Sequence, residues 1–407
     1  MSKPLFVDVH ILQSVPPSNI NRDDTGSPKT ARFGGVTRAR VSSQAWKKAA
    51  RDLFPAYLET DDLGIRSLHI VNKLSDYIRS KDDSITFDSA IALAREVVES
   101  AGIKIDDKNE TKYSTFVSRK QFSSLADLAI KLPSLNLQIK ELEDALNSEQ
   151  KKEGVSKVKI RDMRRRIKDL EAEVKSAPTI LADATLQSID IAMFGRMVTD
   201  NSELNIDAAV QVAHAIGVSK MSPEFDYFTM MDEVEKRVRM IETTEFTSST
   251  LYRYANIDVL HLCENLGSAT VACKGIEAFL RAFVLSMPTG KQNSFANRTL
   301  PVVTVVELRE TQPVSLVNAF EKPVVATAEK SQIERACEEL VTQESALDKA
   351  FGIAPKETLI VIASPGANVL KEFPNASVTD LDNLISRVSE ACATYLEESG
   401  YPSESRE

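Results

Sequence analysis

The segment Leu5-Phe6-Val7-Asp8-Val9-His10-Ile11-Leu12, in which β-branched and other residues alternate, begins the part of the sequence that indicates the fold. Its β-branched residues stand at every second position, a pattern that is typical of a strand with two different faces. We predict a strand over residues 4–13.

The next regular segment, residues 43–54, predicts an amphipathic helix that Ser42 or Ser43 would cap. Its apolar residues recur at helical spacing along one stripe: Trp46, Ala49, Ala50, Leu53 and Phe54. The polar and basic residues of the opposite side are Gln44, Lys47, Lys48 and Arg51. The helix therefore has a core face and a basic face.

Between these two elements, residues 14–41 are interrupted by Pro16-Pro17, Gly26-Ser27-Pro28 and Gly34-Gly35. Prolines and glycines at this density predict a long loop or a loose hairpin. A loop of this length inside a compact domain is often functional.

Residues 57–182 predict a helical insertion. Pro133 interrupts the helical pattern, and two segments with apolar residues three and four apart then surround a short polar turn near Gly154. Such a pair predicts an antiparallel helical hairpin.

Further along the chain, residues 249–261 predict a strand, a long apolar helix ends before Pro288 and Gly290, and residues 301–308 predict another strand. Without its insertions the order is βαββαβ, which predicts an α+β fold with a ferredoxin-like or RRM-like core. The predicted divisions are core residues 1–56 and 183–323, the insertion 57–182, a projecting segment at about 201–244, and an acidic extension 324–407. The last 77 residues, 331–407, hold six basic and fourteen acidic residues and predict helices with one strand at 358–363.

Composition excludes several classes of protein. The 407 residues include 14 Gly, 16 Pro and 4 Cys, which is unlike collagen, low-complexity or disulfide-rich chains. The cysteines form no CxxC pair and only four histidines are present, so no metal site or cofactor is predicted. The first segment is too short and polar for a signal peptide, and no apolar run could span a membrane, so we expect a cytoplasmic protein without membrane contact.

Charge is unevenly distributed although the net charge is −9. Residues 1–51 hold nine basic and three acidic residues, and residues 151–175 hold ten and five, including Arg164, Arg165 and Arg166. Clustered cations can follow a phosphate backbone, whereas a solvated helix face is the alternative for both stretches. An aromatic cluster at 225–228 could stack on bases or pack on its own domain.

Signatures of enzymes are scarce, because the chain lacks GxxxxGK[ST], GxGxxG, HExxH and GxSxG. Asp23, Asp24 and Asp8 are the one cluster of carboxylates that could hold Mg²⁺ for phosphodiester cleavage. The alternative is that these aspartates cap a helix or close a turn. His10 and His214 are expected to be packed rather than catalytic.

Many short motifs occur in an order that resembles a known family. They are Asn21-Arg22-Asp23-Asp24, Phe33-Gly34-Gly35, Arg40-Val41-Ser42-Ser43-Gln44, Gly195-Arg196-Met197, Ala213-His214-Ala215-Ile216, Tyr252-Arg253-Tyr254-Ala255-Asn256-Ile257, Glu264-Asn265-Leu266-Gly267 and Asn318-Ala319-Phe320-Glu321-Lys322. The chain closely resembles the CasC family, the repeated backbone subunit of the type I-E CRISPR Cascade complex.

The resemblance implies a non-catalytic, right-hand-shaped protein with an RRM-like palm, helical fingers and a β-hairpin thumb. Copies would stack along CRISPR RNA, kink it at intervals for pairing with target DNA, and contact other Cascade subunits. The candidate RNA-binding residues are Arg22, Lys29, Arg38, Arg40, Gln44, Lys47, Lys48, Arg51, Arg196, Met197, Tyr227, Phe228 and Lys291, and the candidate DNA-binding residues are Arg164, Arg165 and Arg166.

Two departures from the family pattern affect these candidates. Val36 and Thr37 stand where lysine is expected after Phe33-Gly34-Gly35, which assigns that contact to Arg38 or Arg40. The hairpin pair is Tyr227-Phe228 instead of Trp-Phe. The alternatives from other classes are a metal-dependent ribonuclease that uses Asp23 or Asp24 and a coiled-coil adaptor without nucleic acid.

Overall fold

The computed structural model describes residues 3–151, 156–232 and 237–401, with the side chains of 230–241 excepted. The chain divides into two compact units, the first of Met1–Leu58, Ala209–Cys263 and Ser268–Glu407 and the second of Glu59–Ala208 and Glu264–Gly267. No helix within the described ranges has the length and apolarity needed to cross a membrane.

The strands and helices follow one another without the regular βαβ alternation of an α/β fold, so the fold is of the α+β class. The strands are β1 (Phe6–Ser18), β2 (Thr30–Phe33), β3 (Val36–Val41), β4 (Gly64–Ser67), β5 (Thr115–Ser118), β6 (Val210–Val212), β7 (Ala215–Gly217), β8 (Glu224–Asp232), β9 (Arg237–Asp258), β10 (Val303–Arg309), β11 (Glu357–Ile362) and β12 (Ala376–Val378). The helices are α1 (Ser43–Leu53), α2 (Ile70–Lys81), α3 (Phe87–Ser100), α4 (Arg119–Gln150), α5 (Lys157–Val174), α6 (Ala177–Ala182), α7 (Ile189–Phe194), α8 (Val259–Leu266), α9 (Ala269–Leu285), α10 (Gln292–Phe295), α11 (Gln332–Phe351) and α12 (Leu381–Glu398).

The first unit is organised around one mainly antiparallel sheet in the order β12-β11-β10-β1-β9-β7-β3-β2, with β6 and β8 also paired to β9. The predicted strands at 4–13, 301–308 and 358–363 are confirmed as β1, β10 and β11. The strand predicted at 249–261 is the second half of β9, and α8 begins at Val259.

The strand β1 is longer than predicted because it pairs on both sides, with β9 as far as Ser18 and with β10. Its two faces are both buried, so Val7 and Val9 pack on one side while Asp8 and His10 are enclosed on the other. Burial on both faces is normal for a central strand, but enclosed charges require partners.

The predicted loop at 14–41 contains a hairpin, β2–β3, whose turn is formed by Gly34 and Gly35 at positive φ. Gly34 is also required by space, since a Cβ there would lie 1.6 Å from the carbonyl oxygen of Glu321. The backbone of this turn therefore lies directly against Glu321, which follows the short 3-10 helix Val317–Phe320.

The buried charges of β1 meet an arginine from β10. Arg309 contacts Asp8 (Nε–Oδ2, 3.1 Å), Glu307 (Nη2–Oε2, 2.5 Å) and Glu344 of α11 (Nη2–Oε1, 2.6 Å), and all four side chains are fully buried. His10 Nε2 lies 3.3 Å from Glu307 Oε2. This buried ionic cluster joins the central sheet to the acidic C-terminal extension.

The cluster predicts a stability that falls as pH rises. Burial raises the pKa of Glu344 to about 7, so the folded chain retains a proton there that the unfolded chain loses near its ordinary pKa of 4.5. The resulting stabilisation is complete below the unfolded pKa and disappears as pH rises through the folded value.

We therefore expect the free energy of unfolding of Glu344→Gln, a neutral mimic of the protonated acid, to increase relative to that of the unmodified chain as pH rises from 5 to 8. Urea unfolding at both pH values measures this change. A difference between the two chains that does not vary with pH would contradict a raised pKa at this position.

The second unit is mainly helical, with the small sheet β4–β5. Pro133, expected to interrupt the helix, lies inside the 32-residue α4. An interior proline removes one backbone hydrogen bond and crowds the carbonyl of the preceding turn. Leu132 and Leu135 on either side are buried, and their packing supports the helix through this position. The predicted helical pair is confirmed as α4 and α5, which pack together, with Lys159 of α5 paired to Glu149 of α4 at 3.2 Å. Gly154 of the predicted turn lies outside the described residues.

Candidate nucleic-acid interface

A tethered loop carries the basic residues Arg22 and Lys29. Asn21 accepts the Ser42 backbone N–H through Oδ1 at 2.9 Å, and its carbonyl accepts the N–H of Lys29 at 2.9 Å. Asn19 Nδ2 donates to the carbonyl of Glu245 on β9 at 3.0 Å. The loop that presents exposed Arg22 is therefore held both to the start of α1 and to the base of the β8–β9 hairpin.

The helix α1 is positioned by its cap and its apolar stripe. Ser42 is the N-cap, and its hydroxyl accepts the N–H of Ala45 at 3.3 Å. Trp46 is fully buried, and the guanidinium of Arg253 lies 3.7 Å from the centroid of its ring. Burial lowers the pKa of Arg253 to about 9, and Gln13 Oε1 accepts from its guanidinium at 2.6 Å.

The polar face of α1 presents the four side chains that the sequence predicted. Gln44 and Lys48 are exposed, and Lys47 and Arg51 are half-buried. Lys48 is paired with Asp52 one turn later. Burial lowers the pKa of the Lys47 ammonium. The four side chains form a short polar row along one helix.

Arg38 is a correction to the predicted contacts. Its side chain is 0% exposed, and its guanidinium donates to the carbonyls of Phe33 (3.2 Å), Gly217 (3.1 Å) and Val218 (2.7 Å). It also donates to the carbonyls of Phe320 and Glu321 at 2.8 and 3.0 Å. Because all its donors point inward, Arg38 joins three segments of backbone and does not face a ligand.

Arg40, two residues later, is instead at the surface beside His214. Arg40 Nη1 lies 3.1 Å from His214 Nδ1, and Arg40 Nε donates to the carbonyl of Thr30 at 2.9 Å. The backbone N–H of Arg40 donates to the carbonyl of Lys29. His214 is exposed although its neighbours in sequence are apolar, so the expectation that it is packed was wrong. The sequence feature that could have indicated this exposure is the motif Ala213-His214-Ala215, which lies in the short turn between β6 and β7.

Lys291 lies near the base of the hairpin. Its Nζ donates to Thr244 Oγ1 on β9 at 3.1 Å. Both Lys291 and Ala296, at the two ends of α10, have left-handed backbone, with φ of 47° and 45°. Non-glycine residues in this region are uncommon and are often found at functional sites.

The hairpin β8–β9 exposes three aromatic side chains. Phe225, Tyr227 and Phe228 are 66%, 65% and 41% exposed on β8. Their partners across the ladder are polar: Glu245, Thr243 and Glu242. Phe228 lies on the face of the strand opposite to Phe225 and Tyr227, since side chains alternate along a strand. The hairpin therefore offers apolar surface on both of its faces.

Arg196 and Met197 belong to the second unit and differ sharply in exposure. Met197 is 80% exposed. Arg196 is 5% exposed, and it donates to the carbonyls of Leu204 (2.8 Å) and Leu181 (2.6 Å). Burial lowers the pKa of Arg196 to about 10. The prediction of an RNA contact at Arg196 is therefore wrong for this conformation, because its donors bind backbone within its own unit.

The three arginines of the second basic stretch, Arg164, Arg165 and Arg166, are exposed on α5. The same helix buries Ile167 and Leu170 against its neighbours. The basic surface and the packed surface of α5 are thus separate.

Two groups of side chains have ligand atoms of the kind that metal ions bind. Asp8, His10 and Glu307 place ligand atoms within 4.8 Å of one another, but the Arg309 guanidinium already contacts both carboxylates. Asp23 Oδ1 accepts from the backbone N–H groups of Thr25 and Ser27, each at 3.0 Å, and from the Thr25 hydroxyl at 2.7 Å. These bonds lower the pKa of Asp23 and are those of an aspartate that closes a turn.

Comparison with known proteins finds similar chains in CRISPR complexes. The structure is similar to a chain of a "CRISPR RNA-guided surveillance complex, pre-nicking", with a TM-score of 0.73, 30% identity, and coverage of 95% of this chain and 100% of that chain. A chain of a second "CRISPR RNA-guided surveillance complex" matches with a TM-score of 0.65, 26% identity, and coverage of 95% and 99%. None of the curated proteins matches this chain.

The α+β fold is thus the fold of subunits found in such complexes. Residues 7–387 match the family model of the CT1975-like proteins, and the chain belongs to that family. The resemblance to the CasC family is confirmed by these matches.

Proposed function

We propose that this protein is a non-catalytic backbone subunit that binds CRISPR RNA in a Cascade surveillance complex. The observation that carries this proposal is that the loop at 19–29 is hydrogen-bonded to two other elements. Asn21 accepts the N–H of Ser42 at the start of α1, and Asn19 donates to β9 at the base of the β8–β9 hairpin. In a chain that is 30% identical, over 95% of its length, to a chain of an RNA-guided complex, cations on these tethered elements and exposed aromatic rings on the same hairpin suit a single-stranded ribonucleotide backbone.

The finer parts of the proposal follow the resemblance to the CasC family. The sheet of the first unit would be an RRM-like palm, the helices of the second unit the fingers, and the β8–β9 hairpin the thumb. Copies of the chain would assemble along the guide as in type I-E complexes, contact other Cascade subunits, and kink the guide where target DNA pairs with it.

The direct test is purification of the full chain with and without a co-expressed guide. The proposal expects RNA of defined length to co-purify and copies to assemble on it. Pure protein without RNA, monomeric under both conditions, would favour the coiled-coil adaptor instead.

Phe228→Ala tests the hairpin. We expect the melting temperature of the isolated chain to stay within about 2 °C, because a 41% exposed ring contributes little to the core. In the assembled complex we expect the periodic pattern of exposed guide nucleotides in chemical probing to weaken, since an apolar side chain between bases replaces stacking of about 1–3 kcal/mol per base. A lower melting temperature with an unchanged probing pattern would assign Phe228 to packing alone.

Replacement of Arg164, Arg165 and Arg166 by glutamine tests the second basic surface. We expect assembly on the guide to be unchanged and duplex DNA to bind more slowly and with a weaker salt dependence, because each lost phosphate contact removes about 0.9 from the slope. The exposure of these three residues on α5 makes a folding defect an unexpected result. Loss of guide RNA from the purified complex would show that α5 contacts the guide instead.

The alternative function is a metal-dependent ribonuclease that uses Asp23 or Asp24. The turn bonds of Asp23 favour a structural role, yet both aspartates lie exposed in the loop that presents Arg22. Incubating the complex with complementary RNA and Mg²⁺ separates the two functions. Regularly spaced cleavage that Asp23→Ala or Asp24→Ala abolishes would establish the nuclease.

A further inference from the structure

Three residues with nitrogen-bearing side chains, Lys29, Arg40 and His214, lie close together at the ends of β2, β3 and β7. Arg40 lies on β3, Lys29 immediately precedes β2, and His214 immediately precedes β7. Their backbones are fixed together, because the N–H of Arg40 donates to the carbonyl of Lys29 and Arg40 pairs with Ile216 across the ladder. Among the described residues, neither Lys29 nor Arg40 forms an ion pair with a carboxylate.

The contact between Arg40 and His214 defines the tautomer of the histidine. A guanidinium has donors only, so at 3.1 Å His214 Nδ1 must be the acceptor. The proton of the neutral ring therefore lies on Nε2, and the ring is exposed to solvent. The cluster thus combines two cations with one neutral N–H donor.

We propose that Lys29, Arg40 and His214 form a binding site for one phosphate of the bound RNA, in which His214 both orients Arg40 and donates from Nε2 to a phosphate oxygen. This inference rests on the proposed function and extends it to a residue that the family resemblance did not assign a role. Charge-assisted hydrogen bonds from an arginine and a lysine are the usual contacts of a phosphodiester, and histidine adds a third donor of different geometry.

The site also responds to pH. Partial burial, Arg40 and Lys29 together lower the pKa of His214. These two cations are the charged groups that act on the ring. The neighbouring strand β9 adds no charge there, since its contact is the neutral carbonyl of Tyr254, which accepts the backbone N–H of Ala213. A bound phosphate would offset both cations and accept from Arg40 in place of His214 Nδ1, which leaves Nδ1 able to take up a proton, so affinity for RNA should rise as pH falls.

Two substitutions by amide side chains, each of which replaces one ring nitrogen, separate the roles of Nδ1 and Nε2. In His214→Asn an amide oxygen can replace Nδ1 as the acceptor for Arg40, whereas the distal donor is lost. In His214→Gln an amide nitrogen can replace Nε2 as the donor. Binding of a mixed-sequence single-stranded RNA by the full chain is measured by fluorescence anisotropy at pH 6 and pH 8 for all three chains.

The proposal expects the unmodified chain to bind RNA about three- to tenfold more tightly at pH 6 than at pH 8, an effect of about one favourable charge contact. His214→Asn should bind more weakly at pH 6 and lose the pH response. His214→Gln should lose the response while retaining most of the affinity measured at pH 8.

Other outcomes overturn the site. If His214→Asn matches the unmodified chain at both pH values, the histidine contacts no phosphate, and if only His214→Gln is weakened, it merely positions Arg40. The same chains are compared with a Lys47→Ala/Arg51→Ala variant. A weakened double variant beside unaffected His214 variants refutes this site alone, whereas no RNA binding by any chain refutes the proposed function.

Discussion

Replacing Arg309 by methionine is expected to lower the free energy of unfolding by about 3–5 kcal/mol, because the change leaves buried carboxylates without their cation. Asp8, Glu307 and Glu344 all contact this one guanidinium at 2.5–3.1 Å. Methionine keeps the apolar stem of arginine and removes the charged guanidinium, so the loss includes the uncompensated acids as its main part. Urea denaturation at pH 7.5 followed by circular dichroism gives the value.

A matched control is Lys81→Met, which breaks the ion pair with Asp127 at the surface of the second unit. With side chains that are 29% and 56% exposed, this pair is expected to contribute only about 0.2–1 kcal/mol. Adding Glu307→Leu and Glu344→Leu to Arg309→Met should restore part of the lost stability, since the unpaired charges are removed. Equal losses for Arg309→Met and Lys81→Met would show that the buried cluster does not depend on its cation.

Removing the two cations of α1 that lie one turn apart, in a Lys47→Ala/Arg51→Ala variant, is expected to weaken guide binding about 10- to 100-fold at moderate salt. The physical reason is the loss of up to two phosphate contacts, and the slope of log affinity against log salt should fall by about 0.7 for each contact to a single strand. The loss should be similar for guides of any sequence, because phosphates carry no sequence information. Titration of RNA at several salt concentrations provides both numbers.

The control for this variant removes the same charge elsewhere in the first unit. Lys349 and Lys371 are exposed in the acidic C-terminal extension, and Lys349→Ala/Lys371→Ala should leave both affinity and salt slope nearly unchanged. Trp46 and Ala50 form the buried side of α1, so both variants should retain their melting temperature. An unchanged salt slope in a folded Lys47→Ala/Arg51→Ala protein would exclude these two residues from the RNA contact.

The sequence by itself determined the elements whose pattern is local. The strand β1 and the helix α1 follow from alternation and from an apolar stripe, whereas the sequence left the cap open between Ser42 and Ser43 and the structure identifies Ser42. The polar face of α1 was predictable for the same reason, because the core stripe leaves Gln44, Lys47, Lys48 and Arg51 on the other side. The membership of the chain in its family was also contained in the order of its short motifs.

Only the tertiary structure decided which cations reach the surface. Arg38 and Arg40 are two residues apart on one strand, yet Arg38 meets the carbonyls of Gly217 and Phe320 while Arg40 meets His214. Arg196 is likewise enclosed by carbonyls of its own unit. No local pattern contains this information, because the partners lie up to 283 residues away and the energy of a guanidinium depends on whether buried acceptors surround it. The pairing of β1 on both sides and the continuation of α4 through Pro133 have the same origin, in neighbours that only the folded chain brings into contact.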